Sequence, residues 1–116
     1  DSVLKLMAKP SFRLFERLRI EFDNIVRSSG RKCELVPYFI SAHPGCGMRE
    51  MRSLASNPAL RGLYMDQVQD FTPTPMTTSS VMFYTGLDPK GLQKVFVERD
   101  LQKKKEQKSF FFRREK

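Results

Sequence analysis

The chain has 116 residues, of which 40% are apolar and 29% are charged, and its formal net charge is +8. This length predicts one domain with a modest core, and no apolar run reaches the roughly 18 residues of a membrane-spanning helix. Residues 101–116 carry +5 of the charge, so the remainder is nearly balanced and gives little support to a nucleic-acid-binding domain. Two cysteines, Cys33 and Cys46, form neither a disulfide framework nor a metal-ligand set, and we expect a cytoplasmic protein.

Two helices are predicted in the first thirty residues. Residues 2–8 have apolar positions at helical spacing, and Pro10 interrupts them. Ser11 is a suitable N-cap for a second helix, and Gly30 is a suitable C-terminal stop. The apolar stripe of this second helix consists of Phe15, Leu18, Phe22, Ile25 and Val26.

Two strands follow, and each ends in a polar turn. Residues 34–41 are a short, dense apolar run typical of a strand covered on both faces, although Pro37 favours an edge or a strand start. The turn Ser41–Gly45 opens a helix whose apolar side holds Met48 and Met51, which we expect in the core. Residues 63–71 predict the second strand, in which alternation places two glutamines on the same face as Phe71.

The C-terminal part of the chain leaves more alternatives open. Residues 72–80 predict a turn, and residues 81–84 are compatible with either a helix or a strand. Residues 92–97 are either a short strand or a docked extended segment, and Asp100 is a suitable cap for a final helix from Leu101 to Arg113. Three consecutive phenylalanines, Phe110–Phe112, do not make an amphipathic stripe, so no burial partner is evident in the sequence and we expect a mobile basic tail.

The order of helices and strands indicates an α/β fold with few parallel strands, with an unrelated α+β domain as the alternative. Chemistry in such folds gathers at the carboxyl ends of the strands. There His43, the only histidine, is a candidate proton carrier or ligand-orienting group, and Cys46 is a candidate thiol that is more simply a bystander. At the end of the second strand, Gln67, Gln69, Phe71 and Thr72 have two interpretations. They contact a base or a sugar, or they belong to a solvated edge strand. No catalytic residue is assigned.

Several longer motifs resemble one protein family. The segments VLKLMAKPS (residues 3–11), PYFISAHPGC (37–46) and DQVQDFTPTPMT (66–77) closely resemble YgiQ-type radical SAM proteins, in this order. TSSVMFYTGLDP (78–89) continues the resemblance, and the Lys-rich tail is similar to the start of that family's C-terminal extension. The resemblance covers nearly the whole chain.

The resemblance implies a fold and cofactors. Residues 1–85 would be the C-terminal portion of a partial (β/α)₆ barrel, and residues 86–116 would be the start of the extension. The intact protein would cleave S-adenosylmethionine reductively with a 4Fe-4S cluster and start radical chemistry on an unknown substrate. The two strand ends would approach the adenine and ribose of S-adenosylmethionine through Ile40, Ser41 and His43 and through Gln69, Phe71 and Thr72.

The chain departs from the family in its cysteines. The family holds its cluster with three cysteines at C-x₃-C-x₂-C spacing, and the two cysteines of this chain cannot supply three thiolates. We therefore expect a piece of a larger enzyme that is inactive alone and that functions with the rest of the parent chain. Two alternatives stay open: an inert folding unit, and a small basic α/β module that docks on RNA through Lys103, Lys104, Lys105 and Lys108.

Overall fold

The computed structural model describes residues 1–112, and within that range it shows a mixed α/β arrangement of five α-helices and two parallel strands. The helices are α1 (Ser2–Leu6), α2 (Arg13–Ser29), α3 (Met48–Ala55), α4 (Thr78–Thr85) and α5 (Leu101–Ser109). The strands are β1 (Tyr38–Ser41) and β2 (Gln67–Asp70), and a 3₁₀ turn spans Pro58–Leu60. None of the helices in residues 1–112 has both the length and the apolar content needed to cross a membrane. The predicted α/β class is confirmed, whereas the barrel portion stays a prediction.

The two strands form a parallel pair in which Phe39 lies opposite Val68 and Ser41 lies opposite Asp70. Helix α3 lies in the connection between them, as parallel strands require a crossover. Both strands are shorter than the predicted runs at residues 34–41 and 63–71. Pro37 immediately precedes β1 and has no N–H to donate to a ladder, which explains why pairing begins only after it.

Helix α2 has the predicted extent but little cover. It begins at Arg13, with Phe12 rather than the predicted Ser11 at the N-cap position, although the Arg13 N–H donates to the Ser11 hydroxyl at 3.3 Å. It ends before Gly30, which has the left-handed conformation at φ 66°. None of its residues is buried, and two members of the predicted apolar stripe, Leu18 and Ile25, are 52% and 64% exposed. The other three members, Phe15, Phe22 and Val26, are half-buried, so the described residues cover this apolar face only in part.

The core lies where α5 packs against the two strands and against α3. Met51 of α3 is completely buried, as predicted, whereas Met48 is only half-buried. The other buried apolar residues are Ala42, Cys46, Leu60, Val68 and Met82. The core therefore gathers around the strand pair and leaves α2 outside it.

The structure decides both alternatives left open in the C-terminal part. Residues 81–84 belong to a helix, α4, which Thr77 caps by accepting the Ser80 N–H at 3.2 Å. Residues 92–97 are a docked extended segment rather than a strand, because the only ladder contact described there is an isolated bridge between Leu87 and Lys94. This segment reaches the strand-end turn, where the Phe96 carbonyl accepts the Gly45 N–H at 2.7 Å.

The C-terminal segment has burial partners that the sequence did not make evident. Gln107 of α5 is completely buried, and the Phe111 ring stacks on Phe39 of β1 with centroids 4.8 Å apart. The buried Gln107 amide, the stacked Phe111 ring and the contact of Lys104 with the Phe83 ring contribute to this packing, and no apolar stripe in the sequence indicates it. Helix α5 is shorter than the predicted helix from Leu101 to Arg113, because it ends at Ser109 and residues 110–112 form turns. Mobility of the basic tail stays a prediction, and residues 113–116 lie outside the described range.

Candidate functional site at the strand ends

The carboxyl ends of β1 and β2 lie side by side. The Phe71 N–H donates to the Ser41 carbonyl at 2.7 Å, which extends the ladder by one bond beyond the paired residues Ser41 and Asp70. The Ser41 hydroxyl also donates to the Asp70 carboxylate at 2.8 Å. The predicted proximity of the two turns is therefore confirmed, because both begin at the same edge of the sheet.

A groove of about 410 Å³ opens at this edge. It is lined by five of the six residues predicted to bind a cofactor, Ile40, His43, Gln69, Phe71 and Thr72. The sixth, Ser41, is completely buried and holds the two strand ends together instead of lining the groove. The remaining lining residues are Met7, Lys9, Asp70, Thr74, Thr77 and Ser79. What these side chains bind stays a prediction.

A second groove, of about 460 Å³, lies along α2 and the segments that precede the two strands. Its lining includes Arg19, Phe22, Cys33 and Tyr64. Although it is slightly larger, it lies on the amino-terminal side of both strands, where βα folds do not gather their chemistry. The groove at the carboxyl ends is therefore the candidate site.

The imidazole of His43 has a hydrogen-bond partner on each nitrogen and is only 3% exposed. Nδ1 lies 2.9 Å from the Pro44 carbonyl, and Nε2 lies 2.8 Å from the hydroxyl of Ser79 in the first turn of α4. Because a carbonyl oxygen can only accept, Nδ1 carries the proton of the neutral ring. Nε2 is then the acceptor for the Ser79 hydroxyl, so the contacts of His43 define one tautomer and one orientation.

The surroundings of His43 favour its neutral form. Burial lowers the pKa of the imidazole below its usual value, and the positive charge of Lys9 lowers the pKa further. The hydrogen bond to the Pro44 carbonyl acts in the opposite direction but does not outweigh burial. A neutral ring fixed at both nitrogens suits an orienting group better than a cation that carries protons in and out.

The turn that carries His43 has a strained backbone imposed by its surroundings. Ala42 has φ 58°, a left-handed conformation that costs a residue with a Cβ roughly 1–2 kcal/mol. Gly45 has φ 87°, a conformation that strains any residue with a Cβ, and a Cβ placed there would also require the Leu6 side chain to move. Helix α1 thus packs close to the turn from one side while the Phe96 carbonyl holds it from another.

Gln107 of α5 closes the turn with a double hydrogen bond. Its Oε1 accepts the Ala42 N–H at 3.0 Å, and its Nε2 donates to the Cys46 carbonyl at 3.1 Å. A buried backbone group left without a partner costs roughly 1–3 kcal/mol, so these two bonds matter to the turn. Sequence reasoning missed Gln107, because a glutamine within a lysine-rich segment is normally exposed and no pattern marks it as buried.

Cys46 is a structural neighbour of the groove. Burial raises the pKa of its thiol to about 11, and the negative charge of Glu50 also raises it, against a hydrogen bond from the Ala42 backbone. The thiol is therefore protonated at neutral pH, which supports the bystander interpretation. In residues 1–112 no group of three His, Cys, Asp or Glu side chains is arranged to hold a metal ion.

The polar residues of the groove that the sequence did not predict include Lys9, Asp70 and Ser79. The signal for Ser79 was Thr77, an N-cap residue directly after the second turn, which places Ser79 in the first turn of a helix at the strand ends. Strand alternation places Asp70 on the face opposite Gln69 and Phe71, and only the structure shows that it is the last residue of β2, at the edge of the groove. Lys9 follows α1, whose distance from the strand ends no local pattern reveals.

The C-terminal part of the chain matches a named domain. Residues 66–115, which include β2, α4 and α5, match the family described as "Domain of unknown function (DUF3362)". The match begins at the second strand and therefore includes one wall of the groove. None of the solved structures compared with the chain gives a significant match.

Relatives of the chain are found among bacteria and archaea. A UPF0313 protein of Bacteroides thetaiotaomicron is 44% identical over 112 residues, which cover 97% of this chain and 18% of that protein. A UPF0313 protein of Porphyromonas gingivalis gives the same identity and the same coverage. A UPF0313 protein of Methanocaldococcus jannaschii is 40% identical over 113 residues, which cover 97% of this chain and 19% of that protein.

The chain thus spans less than a fifth of the length of these curated relatives. The aligned regions include both strands and the groove between their ends, because almost the whole chain is covered. Over 97% of its length the chain is similar to one segment of UPF0313 proteins, and its residues 66–115 match the DUF3362 family.

Proposed function

We propose that the groove at the strand ends is part of an S-adenosylmethionine site in a larger radical SAM enzyme. The observation that carries this proposal is the parallel pairing of β1 and β2, which brings the ends of two motifs to one groove. Those motifs, PYFISAHPGC (residues 37–46) and DQVQDFTPTPMT (residues 66–77), are the ones that resemble YgiQ-type radical SAM proteins. The substrate of the parent enzyme is not defined by this groove.

The groove offers the kinds of contact that a nucleoside requires. Phe71 presents a half-buried ring that suits stacking against adenine, and it already meets the edge of the His43 ring at a centroid distance of 5.1 Å. Gln69 and Thr72 are exposed and supply an amide and a hydroxyl for ribose hydroxyls. S-adenosylmethionine would supply the radical chemistry, while these residues would bind and orient its nucleoside.

The residues of this chain do not fit a 4Fe-4S cluster. Such a cluster needs at least three thiolates, and the chain has two cysteines, of which Cys33 is exposed and Cys46 is buried with a pKa of about 11. The cluster ligands of the parent enzyme would therefore belong to a segment outside this chain. A cytoplasmic location is part of the same proposal, because cluster-bearing thiolates require a reducing compartment.

The first test is the reading frame that encodes the chain. We expect it to extend upstream through a C-x₃-C-x₂-C motif, since the relatives are several times longer than this chain. A reading frame that begins near the codon of Asp1 would contradict the radical SAM proposal.

A second test titrates S-adenosylmethionine into the chain and follows the NMR signals of His43 and Phe71. Half of a site binds weakly, so we expect a dissociation constant of about 1 mM and shifts confined to the groove. Phe71→Leu should weaken binding roughly two- to tenfold by removing a stacked ring. Tyr64→Leu, which removes an exposed aromatic ring on the amino-terminal side of β2, is the matched control. Equal loss in both variants, or shifts spread over the surface, would contradict a site at the groove.

RNA binding through α5 is a second candidate function. Lys103 and Lys105 are exposed on this helix, which keeps them available for phosphates. Lys104 is less available, because its ammonium lies 5.1 Å from the centroid of the Phe83 ring and makes a cation–π contact there. RNA binding is also compatible with the first proposal if the parent enzyme acts on RNA.

The RNA test must keep Gln107, so truncation of α5 is unsuitable. The double variant Lys103→Glu/Lys105→Glu should weaken binding to single-stranded RNA and reduce the slope of log affinity against log salt by about 1.4, or roughly 0.7 per phosphate contact. Lys32→Glu/Lys90→Glu makes the same charge change at two exposed positions elsewhere and should have a smaller effect. Equal effects of the two double variants would indicate binding through net charge alone.

A further inference from the structure

The contact between Gln107 and the strand-end turn joins two parts of the chain that are far apart in sequence. Gln107 lies 65 positions after Ala42 and 61 positions after Cys46, yet its side-chain amide bonds to the backbone of both. Ala42 and Cys46 flank the segment that contains His43 and Pro44. The side-chain amide of Gln107 therefore accepts one hydrogen bond and donates another across the turn, as a backbone peptide group does in a sheet.

We propose that Gln107 is a positioning residue of the groove: by bridging Ala42 and Cys46, it fixes the direction in which His43 points. The Pro44 carbonyl that accepts from Nδ1 of His43 belongs to the bridged segment, so a change in the backbone of this segment alters the geometry of that hydrogen bond. Ala42 is held in a left-handed conformation while it donates to Gln107. Without that acceptor, Ala42 can relax from the left-handed conformation to one with negative φ.

Helix α5 also reaches the opposite wall of the groove. Lys104 lies over the Phe83 ring, and Phe83 lies against Phe71 with centroids 5.8 Å apart. One helix of the DUF3362 segment thus contacts the His43 side through Gln107 and the Phe71 side through Phe83. Displacement of α5 by a partner or by another domain of the parent chain would change the positions of His43 and Phe71 together. Such a displacement would regulate ligand binding at the groove.

The test compares Gln107→Met with Gln102→Met in the 116-residue chain. Methionine keeps the length and approximate volume of glutamine but removes the amide, and Gln102 is an exposed glutamine of the same helix. In Gln107→Met the Ala42 N–H should exchange with solvent about tenfold faster, as expected for one lost hydrogen bond. The Phe71 N–H, which bonds to the Ser41 carbonyl, should keep its protection and serves as an internal control.

The second readout is the tautomer of His43 measured from its imidazole nitrogen shifts. His43 is the only histidine, so the signals need no assignment by subtraction. The unmodified chain and Gln102→Met should show the proton on Nδ1, and Gln107→Met should show a mixture that includes the Nε2-protonated ring. An Ala42 exchange rate and a tautomer equal to those of Gln102→Met would overturn the proposal. Equal acceleration at Ala42 and Phe71 would also overturn it, because Gln107 would then be a general packing residue.

A last measurement separates the positioning role of Gln107 from the proposed function. Only the expected effect of Gln107 on ligand binding rests on the proposed function. S-adenosylmethionine should bind Gln107→Met several-fold more weakly than Gln102→Met. If the unmodified chain shows no binding at the groove, the proposed function loses its support. The exchange and tautomer measurements need no ligand and still decide whether Gln107 positions the turn.

Discussion

The strand-end turn and helix α2 show opposite relations between pattern and burial. Helix α2 is the longest amphipathic helix of the described residues, yet none of its 17 residues is buried. The turn has no hydrophobic pattern, yet its residues Ser41–Pro44 are all buried. Burial in the described chain is therefore concentrated where backbone and polar groups are hydrogen-bonded at the strand ends. Hydrophobic patterning alone identifies a surface that needs cover, without showing what covers it.

Helix α2 is connected to its neighbours by polar contacts. The Arg19 guanidinium donates to the carbonyls of Ala59 and Arg61 and lies 3.8 Å from the Asp23 carboxylate. These bonds join the helix, through Arg19, to the 3₁₀ turn region and leave much of the apolar stripe open. An open stripe is compatible with the proposal that other parts of a longer chain pack against α2, since the relatives are several times longer.

The largest expected effect in this comparison is on stability. Met51→Ala removes a completely buried side chain and should lower the free energy of unfolding by about 2–5 kcal/mol. Leu18→Ala on α2 removes a side chain that is 52% exposed and should cost less than about 1 kcal/mol. Urea unfolding of both variants measures the difference. Equal losses would mean that α2 is covered in solution, for example by self-association.

The two cysteines give the next largest contrast. Cys33 is exposed, whereas Cys46 is buried and its thiol has a pKa of about 11. At pH 8 only about one Cys46 thiol in a thousand is ionised, so alkylation should stop after one thiol per chain and resume on addition of denaturant. Cys33→Ser should abolish the fast phase, and Cys46→Ser should leave it unchanged. A fast phase that accounts for both thiols would contradict the closed turn.

The sequence predicted the parts of the site that depend on chain order and missed those that depend on long-range contacts. Two strand-like runs separated by a helix predicted neighbouring parallel strands, and their ends indeed meet at one groove. Strand lengths were overestimated, because apolar residues such as Leu35 extend the pattern beyond the ladder. Gln107 and Ser79 act through contacts that span 61 and 36 positions, respectively, and a single sequence contains no local signal for such pairs.

A smaller effect is expected from the titration of His43. Its pKa is lowered in the folded chain, so as pH falls below about 6.5 the unfolded chain binds the proton first. The free energy of unfolding should therefore decrease with falling pH, by at most about 1.4 kcal/mol per pH unit for one proton, until the folded ring is also protonated. His43→Gln cannot take up this proton, so the difference between the two chains in urea unfolding from pH 7.5 to 5 isolates the contribution. A difference that does not change with pH would mean that the folded ring titrates normally.

The smallest effect on stability is expected from charging the apolar face of α2. Leu18→Lys and Ile25→Lys alter side chains that are 52% and 64% exposed, so each should change the free energy of unfolding by no more than about 0.5 kcal/mol. The same variants should reduce concentration-dependent association of the chain, because an open apolar stripe promotes it. Sedimentation velocity over a range of concentrations measures this association, and Arg13→Glu, a charge change at the exposed start of α2, is the control. If the lysine variants unfold the chain, α2 must be packed through its apolar face, and the contrast with the strand-end turn would disappear.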